Sequence, residues 1–366
     1  MVYKLLAKNN TTNSKLPKIH FIYNTDSTYI NNILKKIDPK NTSVLVISNS
    51  GSTLETIAIT GALISYFKKQ LNSNVNNNYD RNISETGNDF TLESKNEVDL
   101  SVGSMFYFIT NQSTNNKLAK LANEMGSITI PHGDKISGRY SSFTNVCFII
   151  MMLANLNIEE YIKGGRETLN DYHNNKIKSQ AFTSATNIFL SGKNILVNLS
   201  YTQSMQHILD WYSQIIAESL GKKGKGYTPL RSLGPNDQHS MFQLYLEGPR
   251  DKFFSFISTE SNIDKTNKSL DHLTIKEDNL GINICNRTID EINIINKKAS
   301  LHALNSQKMP IRDINIPVIN EYYTGMLVAH MALEVISIGH LIEVNPFNQN
   351  GVEIIKSKAR ELINNQ

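Results

Sequence analysis

The segment Gly234-Pro235-Asn236-Asp237-Gln238-His239-Ser240 puts an imidazole in a polar, turn-rich stretch, and the helical run before it ends in Gln214-Ile215-Ile216-Ala217-Glu218. Histidine exchanges protons near neutral pH, and a carboxylate held close by is its common partner in acid–base chemistry. Within Gln203–Leu220, Met205, Ile208, Leu209, Tyr212, Ile215 and Ile216 recur at helical spacing and face a core. Gln214 and Glu218 stand four apart on a different stripe, close to one another. Glu218 also falls in the last turn, where the helix dipole disfavours a carboxylate, just before Gly221 ends the helix. A locally unfavourable residue is expected at a functional position. The plainer alternatives are an exposed Glu in a fraying turn and a solvated loop histidine.

A second group is Ser48-Asn49-Ser50-Gly51-Ser52-Thr53-Leu54-Glu55-Thr56, which follows a strand-like run and opens a helix. Free backbone N–H groups and the positive end of the helix dipole meet there, and the hydroxyls add donors, so the loop suits an anion such as phosphate. It has neither the Gly-Lys-Ser/Thr of a Walker loop nor the Gly-x-Gly-x-x-Gly of a dinucleotide site. A capping box on Ser52 and Glu55 is the ordinary alternative, and it leaves Ser48, Ser50, Thr53 and Thr56 unexplained. Gly138-Arg139 within Lys135–Ser141 forms a third group, a small residue beside a permanently charged fork of donors. Lys356, on a terminal amphipathic run, is the fourth; alone it reads as a solvated lysine.

Strands are expected at Thr42–Ser48, Met105–Thr110 and Ser127–Ile130, alternating with helices at Leu54–Lys69 and Asn116–Met125. A second alternation has strands at Asn194–Leu199 and Lys252–Ser258 around the helix Gln203–Leu220. A long apolar helix over Pro317–Ile342 and a last one over Val352–Leu362 follow. Alternating strands and helices imply parallel sheets with crossover helices, an α/β fold. The organisation read from this is a first domain at 1–165, a second at 166–345, and a terminal helix at 346–366 carrying Lys356. The Asn- and Ser-rich stretch at about 71–99 reads as a solvated insertion.

The chain has 366 residues and a net charge of +4, with its lysines dispersed, so nothing singles out nucleic acid as a partner. The longest apolar stretch, Val146–Ala154, is too short to span a bilayer and reads as a buried helix. Cys147 and Cys285 lie in apolar runs far apart, which fits neither a disulfide framework nor a zinc site, and a cytoplasmic setting is expected.

These motifs together resemble the bacterial glucose-6-phosphate isomerases. Gln214-x-x-x-Glu218-Ser219-x-Gly221-Lys222, Gly234-Pro235-x-Asp237-Gln238-His239-Ser240, Ser137-Gly138-Arg139-Tyr140-Ser141, the Ser48–Thr56 loop and Asn345-Pro346-Phe347 through Lys356 occur in the family's order. The resemblance implies two sugar-isomerase (SIS) domains, each a flavodoxin-like parallel sheet between helices, plus the C-terminal helical arm. The implied activity is aldose–ketose isomerisation of D-glucose 6-phosphate and D-fructose 6-phosphate through an enediol, with no metal and no organic cofactor. By position, Ser48, Ser50, Thr53 and Thr56 would hold the phosphate, and Gly138, Gln214 and Gln349 would contact the sugar. Glu218 would carry the proton between C1 and C2, Arg139 would stabilise the enediolate, and His239 and Lys356 would open the ring. His239 would come from the partner subunit of a homodimer.

Asn49, Ser137, Asn348, Asn350 and Ile355 depart from the pattern. The family's early Gly-x-Gly-Gly-Ser-x-Leu-Gly strand-turn has no counterpart before Lys18–Tyr23, so a first domain short of one central strand is expected. The alternative reading is a sugar-phosphate-binding protein of the same fold without turnover.

Overall fold

The computed structural model describes residues 1–6, 16–79, 101–133, 135–261, 273–349 and 351–365. Backbone contacts divide the chain into two units, Pro17–Ile149 and a second comprising Met1–Leu16 with Ile150–Gln366. In chain order α1 (Val2–Leu6) belongs to the second unit, and the first unit begins with α2 (Ser27–Leu34), capped by the Asp26 carboxylate. There follow β1 (Val44–Ile47), α3 (Leu54–Tyr79), β2 (Phe106–Thr110), α4 (Lys117–Glu124), β3 (Ile128–Pro131) and α5 (Asn145–Leu153), within which the division falls. The second unit continues with α6 (Ile158–Asn175), α7 (Gln180–Leu190), β4 (Ile195–Ser200), α8 (Gln206–Leu220), β5 (Thr228–Leu233), α9 (Asn236–Ser240), α10 (Phe242–Glu247) and β6 (Lys252–Ser261). It ends with α11 (Ile289–Ser306), β7 (Ile311–Val318), α12 (Glu321–Leu341) and α13 (Val352–Asn364).

The first unit is a parallel sheet in the order β1-β2-β3, with Val44 opposite Phe106 and Phe108 opposite Thr129. Its core joins Val46, Phe106 and Phe108 of the sheet to Leu63 and Phe67 of α3 and Leu118 and Ala122 of α4. The apolar pattern of α3 was expected to stop at Lys69, but the helix runs on to Tyr79. The rest of the polar insertion, 80–100, lies outside the described residues. Of the apolar run Val146–Ala154, α5 buries Met151, whereas Met152 is exposed; the expected buried helix is half-buried.

The second unit is a parallel sheet in the order β5-β4-β6-β7. Alternation sorts its two faces. Val197 and Leu199 of β4 and Phe254 and Phe256 of β6 pack with Phe242 and Tyr245 of α10 and Leu304 of α11. The opposite face meets α8 and α12, and α12 lies in turn against α6 and α7. Helices α6 and α12 touch backbone to backbone: a Cβ on Gly164 would fall 1.9 Å from the Tyr322 carbonyl oxygen, and one on Gly325 2.0 Å from that of Tyr161. Helix α12 is long and apolar enough to cross a membrane, yet much of it is buried in the unit and it carries Glu334, 0% exposed, as a core helix does. Its expected first residues, Pro317 and Val318, instead end β7. Helix α1 packs Val2, Leu5 and Leu6 against α8.

Candidate active site

The candidate residues fall in both units. In the first, β1 delivers Ser48 into the loop that opens α3. Ser48 is buried and its Oγ lies 3.3 Å from Thr53 Oγ1. Ser50 is exposed, its Oγ accepting from the Ser52 hydroxyl at 2.9 Å and the Ser52 N–H at 3.3 Å. Helix α3 starts at Leu54, one residue too late for a Ser52 capping box, and the Ser52 hydroxyl is turned back into the loop. Thr53 and Thr56 are half-buried, before and within the first helical turn. The loop thus presents hydroxyls around a helix N-terminus, a set of donors for an anion.

Gly51 sits at φ +58°, and a Cβ there would fall 1.7 Å from Asn116 Oδ1. That contact exposes two residues the sequence reading missed. Asn116 is buried; its Oδ1 caps α4 through the Ala119 N–H, and its Nδ2 donates to the Asn49 and Asn111 carbonyls and to Thr110 Oγ1. Thr110 Oγ1 in turn donates to the Ser48 carbonyl at 2.6 Å. An Asn just ahead of a helix and a Thr ending a strand were the only signals, and both are ordinary.

Asn49, one of the departures from the motif pattern, donates from its side chain to the Ile136 carbonyl at 2.7 Å. This bond joins the serine-rich loop to the arginine turn 87 residues on. There Gly138–Phe143 forms a 3-10 turn in which Gly138 is exposed, and among the described residues nothing beyond its chain neighbours lies within 4 Å of the position of a Cβ. Arg139 is only 3% exposed, its guanidinium 5.3 Å from the centre of the Tyr140 ring. Ser137, another departure from the pattern, has φ −69° and ψ 151°, ordinary extended backbone that a serine adopts without strain.

In the second unit α8 brings Gln214 and Glu218 together: Gln214 Nε2 donates to Glu218 Oε1 at 2.8 Å. Gln214 is exposed and Glu218 half-buried. The helix ends at Gly221, as read from the sequence, with φ −71° and ψ 75°. Lys222, the last residue of the same motif, donates from Nζ to the Ser219 and Asn345 carbonyls, both at 2.6 Å. It ties the end of α8 to the segment that leads to Gln349 and Lys356.

Gln349 is half-buried, and its carbonyl accepts from the Val352 N–H at 3.4 Å. Lys356, on α13, pairs with Glu353 at 2.7 Å, which holds the Glu353 carboxyl below its ordinary pKa. Ile355 beside it is 72% exposed and crowds nothing in the chain. His239, expected on a loop, stands on the short helix α9, exposed to solvent. That turn is held by Asp237, whose Oδ2 accepts from the Leu233 N–H at 2.7 Å, and by Gln238, whose Oε1 accepts from the Tyr201 hydroxyl at 2.9 Å. Neither Cys147 nor Cys285 forms a disulfide among the described residues, and both are half-buried. Among the described residues no cluster of three or more His, Cys, Asp or Glu is placed to hold a metal ion.

A family model described as phosphoglucose isomerase matches residues 1–366. The chain belongs to the phosphoglucose isomerase family. Among its relatives, a glucose-6-phosphate isomerase of Clostridium tetani is 30% identical over 351 residues, covering 94% of this chain and 71% of its own. One of Carboxydothermus hydrogenoformans is 28% identical over 359 residues (95% and 71%), and one of Methanocaldococcus jannaschii 29% over 348 (94% and 77%). The fold is shared with a hypothetical protein of Thermus thermophilus, at TM-score 0.78 and 22% identity, over 98% of this chain and 80% of that one. It is also shared with a glucose-6-phosphate isomerase of Chlamydia trachomatis, at TM-score 0.70 and 18% identity, over 99% and 66%.

Proposed function

We propose that the chain interconverts D-glucose 6-phosphate and D-fructose 6-phosphate, as an aldose–ketose isomerase of glycolysis and gluconeogenesis. The observation that carries this reading is the match of the phosphoglucose isomerase model to the whole chain. The site residues support it by their chemistry. Ser48, Ser50, Thr53 and Thr56 take the sugar phosphate at the start of α3, where hydroxyls and unbonded helix N–H groups converge. His239 and Lys356 open the ring by moving a proton between the ring oxygen and the C1 hydroxyl. Glu218 removes the C2 proton to form the enediol and returns it to C1, with Gln214 bonded to its carboxylate fixing its direction. Arg139, a buried fixed cation, stabilises the oxyanion as it develops. Gly138 and Gln349 line the sugar.

In this reading the two units are SIS domains, α13 is the helical arm, and the protein works in the cytoplasm as a homodimer in which His239 serves the partner's site. Its exposure in this chain is what such a role requires. A coupled assay that consumes newly formed glucose 6-phosphate tests the activity: sustained turnover of fructose 6-phosphate by the purified protein is expected. Binding of the sugar phosphate without turnover would overturn it.

A further inference from the structure

A buried charged cluster lies between α8 and the sheet of the second unit, and none of the motifs includes it. Arg231, Asn198, Ser255 and Arg312 stand opposite one another on β5, β4, β6 and β7, so they form one polar row on the face beneath α8 and α12. At one edge Arg231 pairs with Asp210 of α8. At the other, Arg312 donates from Nε to Ser255 Oγ at 2.7 Å, from both terminal nitrogens to the Glu334 carboxylate of α12, and to the Tyr212 hydroxyl of α8 at 3.0 Å. Tyr212 donates to Glu334 Oε1, and His330 Nε2 lies 3.6 Å from Oε2. Tyr212 and Glu334 are fully buried.

Burial opposes the charge on Glu334, yet Arg312 and then His330 outweigh it and hold the carboxyl far below its ordinary range. The same surroundings push the Tyr212 hydroxyl up, first by burial and then by Glu334. An apolar trio of similar size would serve stability as well or better, since desolvating an ion pair costs about what the pairing returns. Directionality is what apolar contacts lack. Ile208, Leu209, Ile215 and Ile216 bury α8 but leave its rotation and axial register loosely specified. The hydrogen bond that Tyr212 accepts from Arg312 and the ion pair of Asp210 with Arg231, at opposite edges of the sheet, specify both.

We propose that Tyr212, Arg312 and Glu334 act as positioning residues for Glu218, fixing α8 so that the carboxylate at its C-terminal end stands where the proton moves between C1 and C2. The inference rests on Glu218 being the base. Tyr212→Phe keeps the ring and its packing and removes one hydroxyl. A displacement of about 1 Å in a reacting group costs on the order of a hundredfold in rate. With fructose 6-phosphate as substrate, Tyr212→Phe is expected to lower kcat about tenfold or more, with KM within about threefold and a nearly unchanged melting temperature. Glu334→Gln should move kcat in the same direction; if that variant fails to fold, Tyr212→Phe decides.

A kcat for Tyr212→Phe equal to the parent's overturns the proposal, as does a loss of activity that only tracks a loss of folded protein. Glu218→Gln, run alongside, separates the two readings. If it keeps turnover, the assignment of the base is wrong and the positioning role goes with it; if it is inactive, the Tyr212→Phe result bears on positioning alone.

Discussion

Glu218 carries the sharpest prediction at the residue scale. Glu218→Gln keeps the side chain's shape and its bond to Gln214 but removes the base. Exchange of the substrate C2 proton with solvent, followed by NMR in deuterated water, should slow by roughly 10²–10⁴-fold, with phosphate-dependent binding intact. Exchange near the parent rate would place the base elsewhere. Glu334 yields a second prediction, on stability. Its carboxyl titrates near 4.5 when unfolded and about 2 when folded, so the folded state favours the ionised form. That contribution is fully present above 4.5 and is lost as pH falls toward 2, on the order of 3 kcal/mol in all. Urea titrations across this window should show stability falling with pH, more steeply for the parent than for Glu334→Gln; equal slopes would refute it. Ser48, Arg139, Glu218 and His239 were legible as candidates because each sits in a contiguous motif whose residue types state a chemistry. Thr110, Asn116 and Arg312 were not, because each is a single polar residue in an ordinary element. Their partners are fixed by tertiary structure, as when Arg312 reaches across 100 residues to Tyr212.

At the scale of elements, the close approaches are the places to test. Gly51→Ala would add a Cβ at a left-handed φ and against Asn116, so the serine-rich loop would have to shift away from the residue that anchors it. The backbone term alone costs roughly 1–2 kcal/mol. A lower melting temperature and a raised KM for the sugar phosphate are expected together; an unchanged KM would separate the loop from phosphate binding. Gly325→Ala would force α12 away from α6, because the new Cβ meets a backbone carbonyl that no rotamer change can move. A loss of at least about 1–3 kcal/mol in denaturant titrations is expected, the range for overpacking, and a neutral result would mean that the helices separate freely. Legibility at this scale followed composition. Strands β1, β2, β3, β4 and β6 read as strands from the sequence, β1 and β3 among them although they are the edges of the first sheet. Strands β5 and β7 were missed, and both are the edges of their sheet, carrying Pro229 and Arg231 in one, and Arg312, Asp313 and Pro317 in the other. Edges tolerate proline and charge because one side of their backbone makes no ladder bonds, and an edge strand that carries them loses the pattern by which strands are recognised.

For the whole molecule, the proposed dimer with His239 crossing to its partner makes a prediction that no single-chain property can imitate. Two variants, Glu218→Gln and His239→Ala, are each expected to be nearly inactive alone. In a mixed dimer with His239 acting across the interface, one site combines both altered residues and the other combines an intact Glu218 with an intact His239. The second site works at the parent's rate. With His239 acting within its own chain, each site of the mixed dimer carries one defect and both stay silent. Unfolding the two variants together and refolding them at equal amounts should give about half mixed dimers, each with one of two sites active, hence about a quarter of the parent's activity. The exposed imidazole, standing on a turn anchored by Asp237 and Gln238, is suited to such an exchange because it is open to solvent in this chain. Sedimentation at twice the 41.3 kDa chain mass provides the necessary control. A dimer of that size whose variants never complement one another would return His239 to its own subunit's site.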